Sequence, residues 1–483
     1  MFAAAIAQLR FAVSVGFGRR FDHRALERLA DALEASRNEF GPFDSDVVEA
    51  VSGPVYPLVE RRQMQLRRFT HLLRRAVDQT EYYRSLLERA GLSGPDIVWD
   101  EVRVLPLTRK HSVRDDPTAF VASDAKPVYV AETTGTTGRP TRVHFSAYEL
   151  ALMRDLGVIG FMLANTIEPD DVLIMATSPR ALGNMIIGSA ATRIGAAVRF
   201  PGVVNPSAML AALSSSTNLR AKKGRPSLLS TYPSYLGALI EAGLTRGYKP
   251  RDFGLERIFT GGELLTASLK ERTKLVFGEV AFIETYAMTE TLPFGGQFCR
   301  QGHLHFDPTH GLIELCDPTT GAEAAPGEKA TLVATPFPPY RDTTLLLRYD
   351  TEDVVCALAQ PPDCEKHHLP AASAPWGKLA ACTLLANGRI VTPREVAEVL
   401  EASVDVPLPA RYAMSAWGDR IVVDVVVRDP HDAAVKAKFA DKLADEGVPI
   451  AAVRLVDHPS NLPDWKPLRA DLREPCFPIR VAS

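Results

Sequence analysis

The sequence lacks the features that would tie it to a membrane or to nucleic acid. No apolar run approaches the roughly 18 residues of a membrane span. The apolar start at residues 1–15 contains Arg10 and has no basic n-region, so we expect a helix there and not a signal peptide. Basic residues are not in surplus, since 55 Lys and Arg stand against 58 Asp and Glu, for a net charge of −3. Neither nucleic acid nor an anionic membrane is therefore expected as the main partner, and the default expectation is a cytoplasmic protein.

Cysteine is also scarce. The chain has six cysteines in 483 residues, and all of them lie beyond residue 298: Cys299, Cys316, Cys356, Cys364, Cys382 and Cys476. This number is too small for a disulfide scaffold and fits free thiols or a metal site in a reducing compartment. The content of 46% apolar and 23% charged residues is that of a globular protein, which excludes collagen, coiled coil and wholesale disorder. At roughly 100–200 residues per domain, the length predicts two to four domains.

Between residues 127 and 290, short β-rich runs alternate with helical stretches. The predicted strands are Val128–Ala131, Val172–Thr177, Ala196–Phe200, Leu228–Thr231, Arg257–Thr260 and Val280–Ile283. Helices are predicted between them, for example at Ala147–Leu163 and Tyr235–Ala242. This alternation predicts a largely parallel sheet covered by helices, with its binding site beyond the carboxyl ends of the strands.

The flanking regions have other patterns. Residues 1–60 are predicted to be a helical extension followed by a loop, and residues 311–358 predict antiparallel strands at Leu312–Leu315, Ala330–Thr335 and Thr344–Arg348. We therefore predict an α/β fold of the α+β multidomain kind. Its parts are an extension at 1–60, a large domain with mixed sheets covered by helices at 61–376, and a small α/β domain at 377–483.

The most distinctive motif follows the strand predicted at 128–131. It contains five threonines, two glycines and an arginine in the order Thr133-Thr134-Gly135-Thr136-Thr137-Gly138-Arg139-Pro140-Thr141. Glycine lets backbone N–H groups approach an anion closely, hydroxyls add donors and the arginine adds charge, which is the chemistry of a phosphate-binding loop. The nucleoside-triphosphatase pattern G-x-x-x-x-G-K-[ST] is absent. Taken alone, the motif is explained equally well by a flexible surface turn.

Three shorter segments carry side chains that suit a nucleotide. The segment Tyr286-Ala287-Met288-Thr289-Glu290 offers a ring for a base, a hydroxyl for a phosphate oxygen and a carboxylate for Mg²⁺. Thr260-Gly261-Gly262-Glu263 ends a predicted strand, and its glycines would permit a flat ligand against the backbone. Asp353 could accept both hydroxyls of a ribose, since an ionised carboxylate only accepts hydrogen bonds. Each segment alone is also explained as an ordinary turn.

In this order and spacing, the four segments resemble the adenylate-forming enzymes that activate carboxylic acids with ATP, and especially the branch similar to phenylacetate–CoA ligases. Other segments of the chain resemble motifs of the same branch: Leu105–Lys110, Thr231–Tyr235 and Gly388–Pro393. The likeness covers residues 60 to 475. It implies a large adenylation domain and a small mobile C-terminal domain that closes over it.

The resemblance implies a role for each motif. Thr133–Thr141 would hold the β- and γ-phosphates, with Arg139 supplying charge. The remaining nucleotide contacts would be made by Gly262 and Glu263 along adenine, Tyr286 stacked on it, Thr289 at the α-phosphate, Glu290 at Mg²⁺ and Asp353 at the ribose. The acyl pocket would be bordered by Tyr232, Tyr235 and the loop Pro293-Phe294-Gly295.

Several positions depart from the family pattern. Arg139 replaces the usual lysine, and Glu352 replaces the glycine that usually precedes the ribose-binding aspartate. Lys378 stands in the nucleotide-facing hinge motif, where no acidic residue follows before Asn387. Lys466 is the only lysine after Lys442, and it is expected to be the catalytic lysine that bridges the carboxylate and the α-phosphate. The alternative is a surface lysine near the terminus.

The late cysteines suggest a metal site. Some members of the branch hold a structural zinc ion, and the corresponding ligands here would be Cys299, His305 and Cys364. His367 would replace a cysteine that this chain lacks, since thiolate and imidazole both suit tetrahedral Zn²⁺. Buried free cysteines beside exposed histidines are the alternative.

Two functions of different classes follow. The first is ATP-dependent activation of a small aromatic carboxylic acid to an acyl-AMP with release of pyrophosphate, then acyl transfer to coenzyme A. An amine or a carrier thiol, as in secondary metabolism, is an alternative acceptor. The second is a non-catalytic nucleotide-binding relative, which the altered hinge favours. The identity of the acid and the oligomeric state, with a homodimer as one option, are left open.

Overall fold

The structure is a computed structural model that describes residues 18–44, 56–90, 99–133, 140–463 and 466–471. The α-helices are, in chain order, α1 (Arg24–Phe40), α2 (Leu58–Gln79), α3 (Glu81–Ala90), α4 (Trp99–Val104), α5 (Lys110–Asp115), α6 (Ala147–Leu163), α7 (Leu182–Ile194), α8 (Pro206–Ser214), α9 (Pro233–Arg246), α10 (Ala267–Phe277), α11 (Pro393–Glu401) and α12 (Ala433–Asp445). Short 3-10 helices lie at Pro117–Phe120, Pro250–Asp252, Leu379–Ala381, Pro459–Asn461 and Arg469–Asp471. Among the described residues, no helix is both long enough and apolar enough to cross a membrane.

The strands are, in the same order, β1 (Pro127–Glu132), β2 (Arg142–Ser146), β3 (Val172–Ala176), β4 (Ala197–Arg199), β5 (Leu228–Thr231), β6 (Arg257–Thr260), β7 (Ala281–Tyr286), β8 (Gly296–Phe298), β9 (Leu304–Phe306), β10 (Gly311–Cys316), β11 (Lys329–Pro336), β12 (Tyr349–Cys356), β13 (Ala371–Ala372), β14 (Gly377–Lys378), β15 (Thr383–Leu384), β16 (Ile390–Val391), β17 (Tyr412–Trp417), β18 (Arg420–Val426) and β19 (Ile450–Val456).

The chain divides into two compact units. The first comprises Met1–Glu168, Arg180–Ile194 and Thr285–Pro375, and the second comprises Pro169–Pro179, Gly195–Glu284 and Trp376–Ser483. Each unit has hydrophobic clusters of its own. The domain limits after residues 60 and 376 were drawn from the sequence and stay a prediction.

The first unit combines helices with antiparallel strands. Helix α2 buries Phe69, Leu72, Leu73 and Ala76, which recur at helical spacing and so form one apolar face. Strands β1 and β2 pair as a hairpin, and β10, β11 and β12 pair antiparallel in that order. Strands β8 and β9 form another hairpin, and β13 pairs with β9. Of the residues that the sequence assigns to nucleotide and metal, Asp353 lies on β12 and His305 on β9.

The second unit contains the predicted parallel sheet without its first strand, Val128–Ala131, which lies in β1 and pairs antiparallel with β2. Strands β4, β3, β5 and β6 pair in that order and all run parallel, and residues 281–284 of β7 extend the sheet beside β6. Helices α8, α9 and α10 contribute to a core whose most buried members include Leu236 and Ile240. Residues after 376 add a three-stranded sheet in which β18 pairs antiparallel with β17 and parallel with β19. The predicted α/β class with mixed sheets is therefore confirmed.

The strand predicted at Thr344–Arg348 is wrong. Strand β12 begins at Tyr349, and Arg348 has a φ of +46°, in the left-handed region that interrupts a strand. The three leucines before it, residues 345–347, are all buried. A run of buried leucines is also typical of a strand covered on both faces, so this segment resembles a strand in sequence although it does not pair as one.

Candidate functional site

The threonine- and glycine-rich loop joins β1 to β2. Two hydrogen bonds close its base: the Thr133 N–H donates to the Thr141 carbonyl at 3.0 Å, and the Thr141 N–H donates to the Thr133 hydroxyl at 3.0 Å. The loop residues between them that were predicted to bind phosphate, Thr134, Gly135, Thr136, Thr137, Gly138 and Arg139, lie outside the described residues. The hairpin therefore fixes both ends of the predicted phosphate-binding loop.

Tyr286 and Asp353 lie side by side, although 67 residues separate them. The Tyr286 hydroxyl donates to Asp353 Oδ2 at 2.8 Å, and the Tyr286 ring meets Phe306 edge-on with centroids 6.1 Å apart. Burial, together with the nearby Asp353 carboxylate, raises the pKa of Tyr286 well above its usual value. The phenol therefore stays protonated and can donate to the carboxylate.

A bulge in β12 sets the direction of Asp353. Residues 351–353 of β12 stand opposite the single residue Leu332 of β11, and the Thr351 hydroxyl donates to the Leu332 carbonyl at 2.8 Å. Glu352 has a φ of +59°. The position that usually holds glycine thus keeps a conformation natural to glycine, in spite of its side chain. Bulges of this kind bend a strand and re-aim its side chains.

Glu290 is buried and held at one of its oxygens. Its Oε1 accepts a hydrogen bond from the Tyr349 hydroxyl at 3.1 Å and lies 3.4 Å from Lys110 Nζ. Lys110 reaches this point because Thr108 forms a parallel bridge with Tyr349 just before α5 begins. Thr289, next to Glu290, is half-buried. The carboxylate is therefore fixed in orientation by one hydroxyl and one cation.

Gly262 and Glu263 contact a C-terminal arginine within the second unit. Glu263 accepts hydrogen bonds from the Ser234 N–H at 2.9 Å and from the Arg469 N–H at 3.3 Å. The Arg469 guanidinium lies 4.5 Å from the centroid of the Tyr232 ring. Gly262 has a φ of +76°, and a Cβ there would lie 2.8 Å from Arg469 Nη1, so a side chain at this position would displace the guanidinium.

Arg469 was missed by the sequence analysis. The available signal was its position three residues after Lys466. A segment that carries one functional cation to a site also carries its sequence neighbours close to that site. Lys466 itself is exposed, as is Lys378 in β14. Gly377, just before Lys378, has a φ of +131°, and a Cβ there would lie 2.7 Å from the Pro393 ring.

The two tyrosines predicted to border the acyl pocket are buried in the core of the second unit. The Ser178 N–H donates to the Tyr232 hydroxyl at 3.1 Å, and the Tyr235 hydroxyl donates to the Val204 carbonyl at 2.6 Å. These contacts hold both phenol groups by hydrogen bonds to the backbone. Tyr235 is 0% exposed, so its side chain is packed within the core.

The loop Pro293-Phe294-Gly295 lies in the first unit. Phe294 is buried, and its ring centroid lies 6.0 Å from that of Phe306. A Cβ on Gly295 would lie 2.5 Å from the Tyr286 carbonyl oxygen. The absence of a side chain at Gly295 therefore lets this loop run directly against the residue predicted to stack on the base.

Four sulfur and nitrogen ligands gather in the first unit. One ligand atom from each of Cys299, His303, His305 and Cys364 lies within 4.8 Å of all the others. Three of these were predicted, and His303 was missed. His367 instead approaches the backbone, its Nδ1 lying 3.0 Å from the Cys364 carbonyl oxygen.

The β8–β9 hairpin and its turn supply three of these four residues, Cys299, His303 and His305. The Cys299 N–H donates to the His303 carbonyl at 3.0 Å across a turn in which Gly302 has a φ of +81°. His303 directly precedes β9 and His305 lies within it, and their ring centroids are 6.3 Å apart. Burial, with smaller contributions from His303 and Lys366, lowers the pKa of His305 to about 4. Its imidazole is therefore neutral near pH 7, as a metal ligand must be.

Comparison with known proteins agrees with this geometry. The AMP-binding enzyme family matches residues 65–334. A phenylacetate-coenzyme A ligase of Thermus thermophilus is 26% identical over 360 residues, which cover 72% of this chain and 77% of that protein. A phenylacetate-coenzyme A ligase of Aromatoleum evansii is 22% identical over 321 residues, covering 65% and 69%. A solved structure of a 2-hydroxyisobutyryl-CoA ligase in the postadenylation state shares the fold, with a TM-score of 0.68 at 20% identity over 86% of this chain and 90% of that one.

The family match includes most of the motifs described above. It runs over more than half of the chain and contains Thr133, Glu263, Tyr286 and Glu290. Asp353 lies beyond it, on β12, but is hydrogen-bonded to Tyr286 inside it. The predicted relationship to phenylacetate–CoA ligases is confirmed: the chain belongs to the AMP-binding enzyme family and is an adenylate-forming ligase.

Proposed function

We propose that the chain uses ATP to convert a small aromatic carboxylic acid into an acyl-AMP, and then transfers the acyl group to coenzyme A. The observation that carries this proposal is the pairing of Tyr286 with Asp353 beside the anchored Glu290, which gathers contacts for base, ribose and cation within one unit. The names of the two curated relatives support the aromatic acid and coenzyme A as substrates.

In the first half-reaction, a carboxylate oxygen attacks the α-phosphorus of ATP. The new P–O bond forms as the bond to the β-phosphate breaks, and pyrophosphate leaves with the electron pair. Two anions must approach each other, so the site has to supply positive charge and fixed donors at the phosphates. Thr133–Thr141 with Arg139 would serve the β- and γ-phosphates, Thr289 the α-phosphate, and Lys466 the attacking carboxylate.

Glu290 would hold the magnesium ion. Mg²⁺ usually takes one or two protein carboxylates and completes its shell with phosphate oxygens and water, so a single oriented carboxylate fits it. Tyr349 and Lys110 both contact Oε1 and thereby prevent the carboxylate from turning. When bound, the ion neutralises charge that develops on the phosphates.

The remaining nucleotide contacts follow from the geometry of each unit. Asp353, aimed by the bulge in β12, would accept the ribose hydroxyls, and Tyr286 would offer its ring to the base. Gly262 and Glu263 would lie along adenine, and Lys378 would serve the nucleotide from the hinge. The resemblance assigns the acyl pocket to Tyr232, Tyr235 and Pro293–Gly295.

In the second half-reaction, the thiolate of coenzyme A attacks the acyl carbonyl carbon. The C–S bond forms, the C–O bond to phosphate breaks, and AMP leaves with the electron pair. The thiol proton passes to solvent or to a base. The same acyl-AMP could react with an amine or a carrier thiol. The identity of the product therefore shows which acceptor is used.

The test is the carboxylate-dependent exchange of labelled pyrophosphate into ATP over a panel of aryl and alkyl acids. We expect exchange with aryl acids, its loss in Glu290→Gln, and acyl-CoA by mass spectrometry only when coenzyme A is added. Glu284→Gln on β7 is the matched control, because that glutamate pairs with Lys270 and not with the site. Folded protein that gives no exchange with any acid would contradict the proposal, and exchange without acyl-CoA would exclude coenzyme A as acceptor.

We also propose that Cys299, His303, His305 and Cys364 hold a structural zinc ion. A tetrahedral site with bonds of roughly 2.0–2.3 Å places its ligand atoms about 3.3–3.8 Å apart, close to the grouping seen here. Two thiolates and two imidazoles are also a donor set that selects zinc. The ion would join the β8–β9 hairpin to the segment that carries Cys364.

Metal analysis of protein purified without a histidine tag tests this site. We expect one zinc ion per chain, its loss in His303→Asn, and its retention in His367→Asn, which changes the same residue type outside the cluster. Chelation should lower the thermal unfolding temperature of the parent protein and of His367→Asn, but not that of His303→Asn. Clearly sub-stoichiometric zinc in the parent protein would end the proposal.

A further inference from the structure

Glu149 takes part in capping the N-terminus of α6. The Ser146 N–H and hydroxyl donate to Glu149 Oε2 at 2.7 and 2.9 Å, and the Glu149 N–H donates to the Ser146 hydroxyl at 3.3 Å. This reciprocal arrangement at the start of α6 is a capping box, which the pattern Ser-x-x-Glu allows. Glu149 is 0% exposed, however, and a helix cap alone does not require burial.

The second oxygen of Glu149 binds a distant part of the chain. Oε1 accepts hydrogen bonds from the Asp342 N–H at 3.0 Å and from the Thr343 N–H at 3.1 Å, 193 and 194 residues further along. One carboxylate thus joins two segments: Oε2 binds Ser146 at the end of β2, and Oε1 binds residues 342–343. Each backbone donor is buried, so each needs this acceptor.

Arg341 neutralises this carboxylate. It is 1% exposed, its Nη1 lies 3.6 Å from Glu149 Oε1, and its guanidinium carbon lies 3.9 Å from the centroid of the Phe145 ring. No hydrogen bond is made by its guanidinium nitrogens to other described residues. Burial opposes ionisation of Glu149, but Arg341 and the N–H donors outweigh it and lower the pKa of this carboxyl.

The two joined segments lead to the two halves of the nucleotide contacts in the first unit. Strand β2 starts immediately after the loop Thr133–Thr141, and residues 341–344 lead into β12 with its bulge and Asp353. A second link lies beside the first: the Thr344 hydroxyl accepts from the His144 N–H and donates to the His144 carbonyl, both at 3.0 Å. Moving either segment would change the spacing between phosphate loop and ribose contact.

We propose that Glu149, with Arg341 as its counter-ion, is a positioning residue for ATP. It fixes β2, which starts at the base of the predicted phosphate-binding loop, relative to the segment that leads to Asp353, and it does so without touching the nucleotide. The inference rests on the proposed function, because it takes these two elements as the ATP contacts. A carboxylate that serves only the helix cap would have no such effect.

Two conservative variants separate bridging from capping. Glu149→Asp keeps the negative charge and a residue type that suits the first helical turn, but its carboxylate is one methylene too short to reach both segments. Glu149→Gln keeps the length of the side chain but replaces one acceptor oxygen with an NH₂ group. That group faces N–H donors and cannot accept their hydrogen bonds. The matched control is Glu395→Gln in α11, where the Thr392 N–H and hydroxyl donate to Glu395 Oε2 at 2.7 and 2.8 Å in the same capping geometry.

Three measurements are made on the full-length protein: ATP affinity by calorimetry, KM for ATP and for the acid, and amide hydrogen exchange by mass spectrometry. We expect both Glu149 variants to bind ATP about tenfold more weakly, since small displacements in a preorganised site have effects of at least this size. KM for the acid should not change. Peptides covering 142–146 and 341–344 should exchange faster together. Glu395→Gln should lose stability but keep its ATP affinity.

The inference is overturned if both Glu149 variants fold and bind ATP as the parent protein does. It is also overturned if ATP and acid are affected equally and in proportion to lost stability, which is the signature of a structural role alone. Failure of the proposed function is visible separately, as a parent protein that binds ATP but gives no acid-dependent exchange. The calorimetric comparison of Glu149 variants still decides the inference in that case.

Discussion

Two glutamates buried in different units of the protein have opposite electrostatic environments. Glu149, in the first unit, accepts hydrogen bonds from four groups of the chain and has Arg341 beside it, and its pKa is lowered. Glu401, in the second unit, lies at the end of α11 and accepts from the Thr266 hydroxyl. Its pKa is raised to about 7, chiefly by burial. Two buried carboxylates can therefore differ in ionisation.

The difference lies in the hydrogen-bond donors that reach each carboxylate: four reach Glu149, and the donors of the arginine near Glu401 go to the backbone. Arg272 is buried near Glu401, but its Nη1 donates to three backbone carbonyls, those of Glu401 at 3.4 Å and of Ser403 and Val406 at 3.0 Å each. The neighbouring Glu398 adds negative charge and pushes the pKa of Glu401 further up. A buried carboxylate stays ionised when donors and a cation are aimed at it, and tends to take up a proton when they serve the backbone.

The largest effect on the free energy of unfolding is expected when the cation beside Glu149 is removed. Arg341→Met should lower the free energy of unfolding by about 3–5 kcal/mol near pH 8, because it leaves a buried charge without its partner. The pKa of Glu149 should then rise above its unfolded value. Stability should fall as pH increases through that new pKa, whereas the parent protein loses the Glu149 contribution as pH decreases. Urea unfolding over a pH series measures both.

The double variant Glu149→Gln with Arg341→Met checks the cause. Removing both charges should recover most of the loss, since a buried pair replaced by neutral groups of similar size is often close to neutral in stability. A double variant no more stable than Arg341→Met alone would show that packing against Phe145, and not the charge, accounts for the effect.

The second largest effect is expected from Glu401→Gln. The folded pKa of about 7 lies above the usual value of 4.5, so the contribution of Glu401 is fully present below pH 4.5 and is lost as pH rises through 7. At about 1.4 kcal/mol per unit, the unfolding free energy should fall by about 3 kcal/mol over this window, and Glu401→Gln should abolish that fall. Urea unfolding between pH 4 and 8 is the measurement, with the exposed Glu279→Gln as the control.

A smaller effect is expected from Arg272→Met. Three buried carbonyls lose their donor, which should lower the free energy of unfolding by about 2 kcal/mol. Because a nearby positive charge also disappears, the pKa of Glu401 should rise further, and the loss should be greater at pH 8 than at pH 5. Arg272→Lys keeps the charge without the planar group, so it should retain the pH dependence while losing part of the stability. Equal losses at both pH values would contradict the electrostatic link.

The smallest effect is expected at Glu352, where two variants separate the contribution of the backbone conformation from that of the carboxylate. Glu352 sits in the left-handed region, so Glu352→Gly should raise the free energy of unfolding by about 1 kcal/mol by relieving backbone strain. Glu352→Ala keeps the strain and should give no gain. A gain in the alanine variant equal to that in the glycine variant would assign the effect to the carboxylate. Thermal unfolding at one pH is sufficient to compare the two.

The sequence predicted the fold where local pattern and burial agree. Leu228–Thr231 and Arg257–Thr260 are short apolar runs bounded by turns, and β5 and β6 have those bounds. The strand predicted at Thr344–Arg348 failed because its leucines are buried without pairing as a strand, and the residue type of Arg348 gives no sign of its left-handed φ. Capping by Glu149 could be read from Ser-x-x-Glu, but its contact with residues 342–343 could not, since nothing local links segments so far apart.

The candidate site was predicted to a similar extent. Resemblance grouped Cys299, His305 and Cys364, which the structure brings together. His303 was overlooked, although its place between Cys299 and His305 was a signal that it could share their site. The hydrogen bond between Tyr286 and Asp353 was beyond reach, because the bulge that aims Asp353 depends on pairing with β11.

The two oxygens of Glu149 also belong to different stages of folding. Its contacts with Ser146 span three residues and can form as soon as α6 does, within the microseconds in which helices form. Its contacts with residues 342–343 must wait until a loop of 193 residues has closed. Interactions made after the rate-limiting step act on unfolding and not on folding. Shortening this side chain to aspartate should therefore leave the refolding rate of the first unit nearly unchanged and make its unfolding faster.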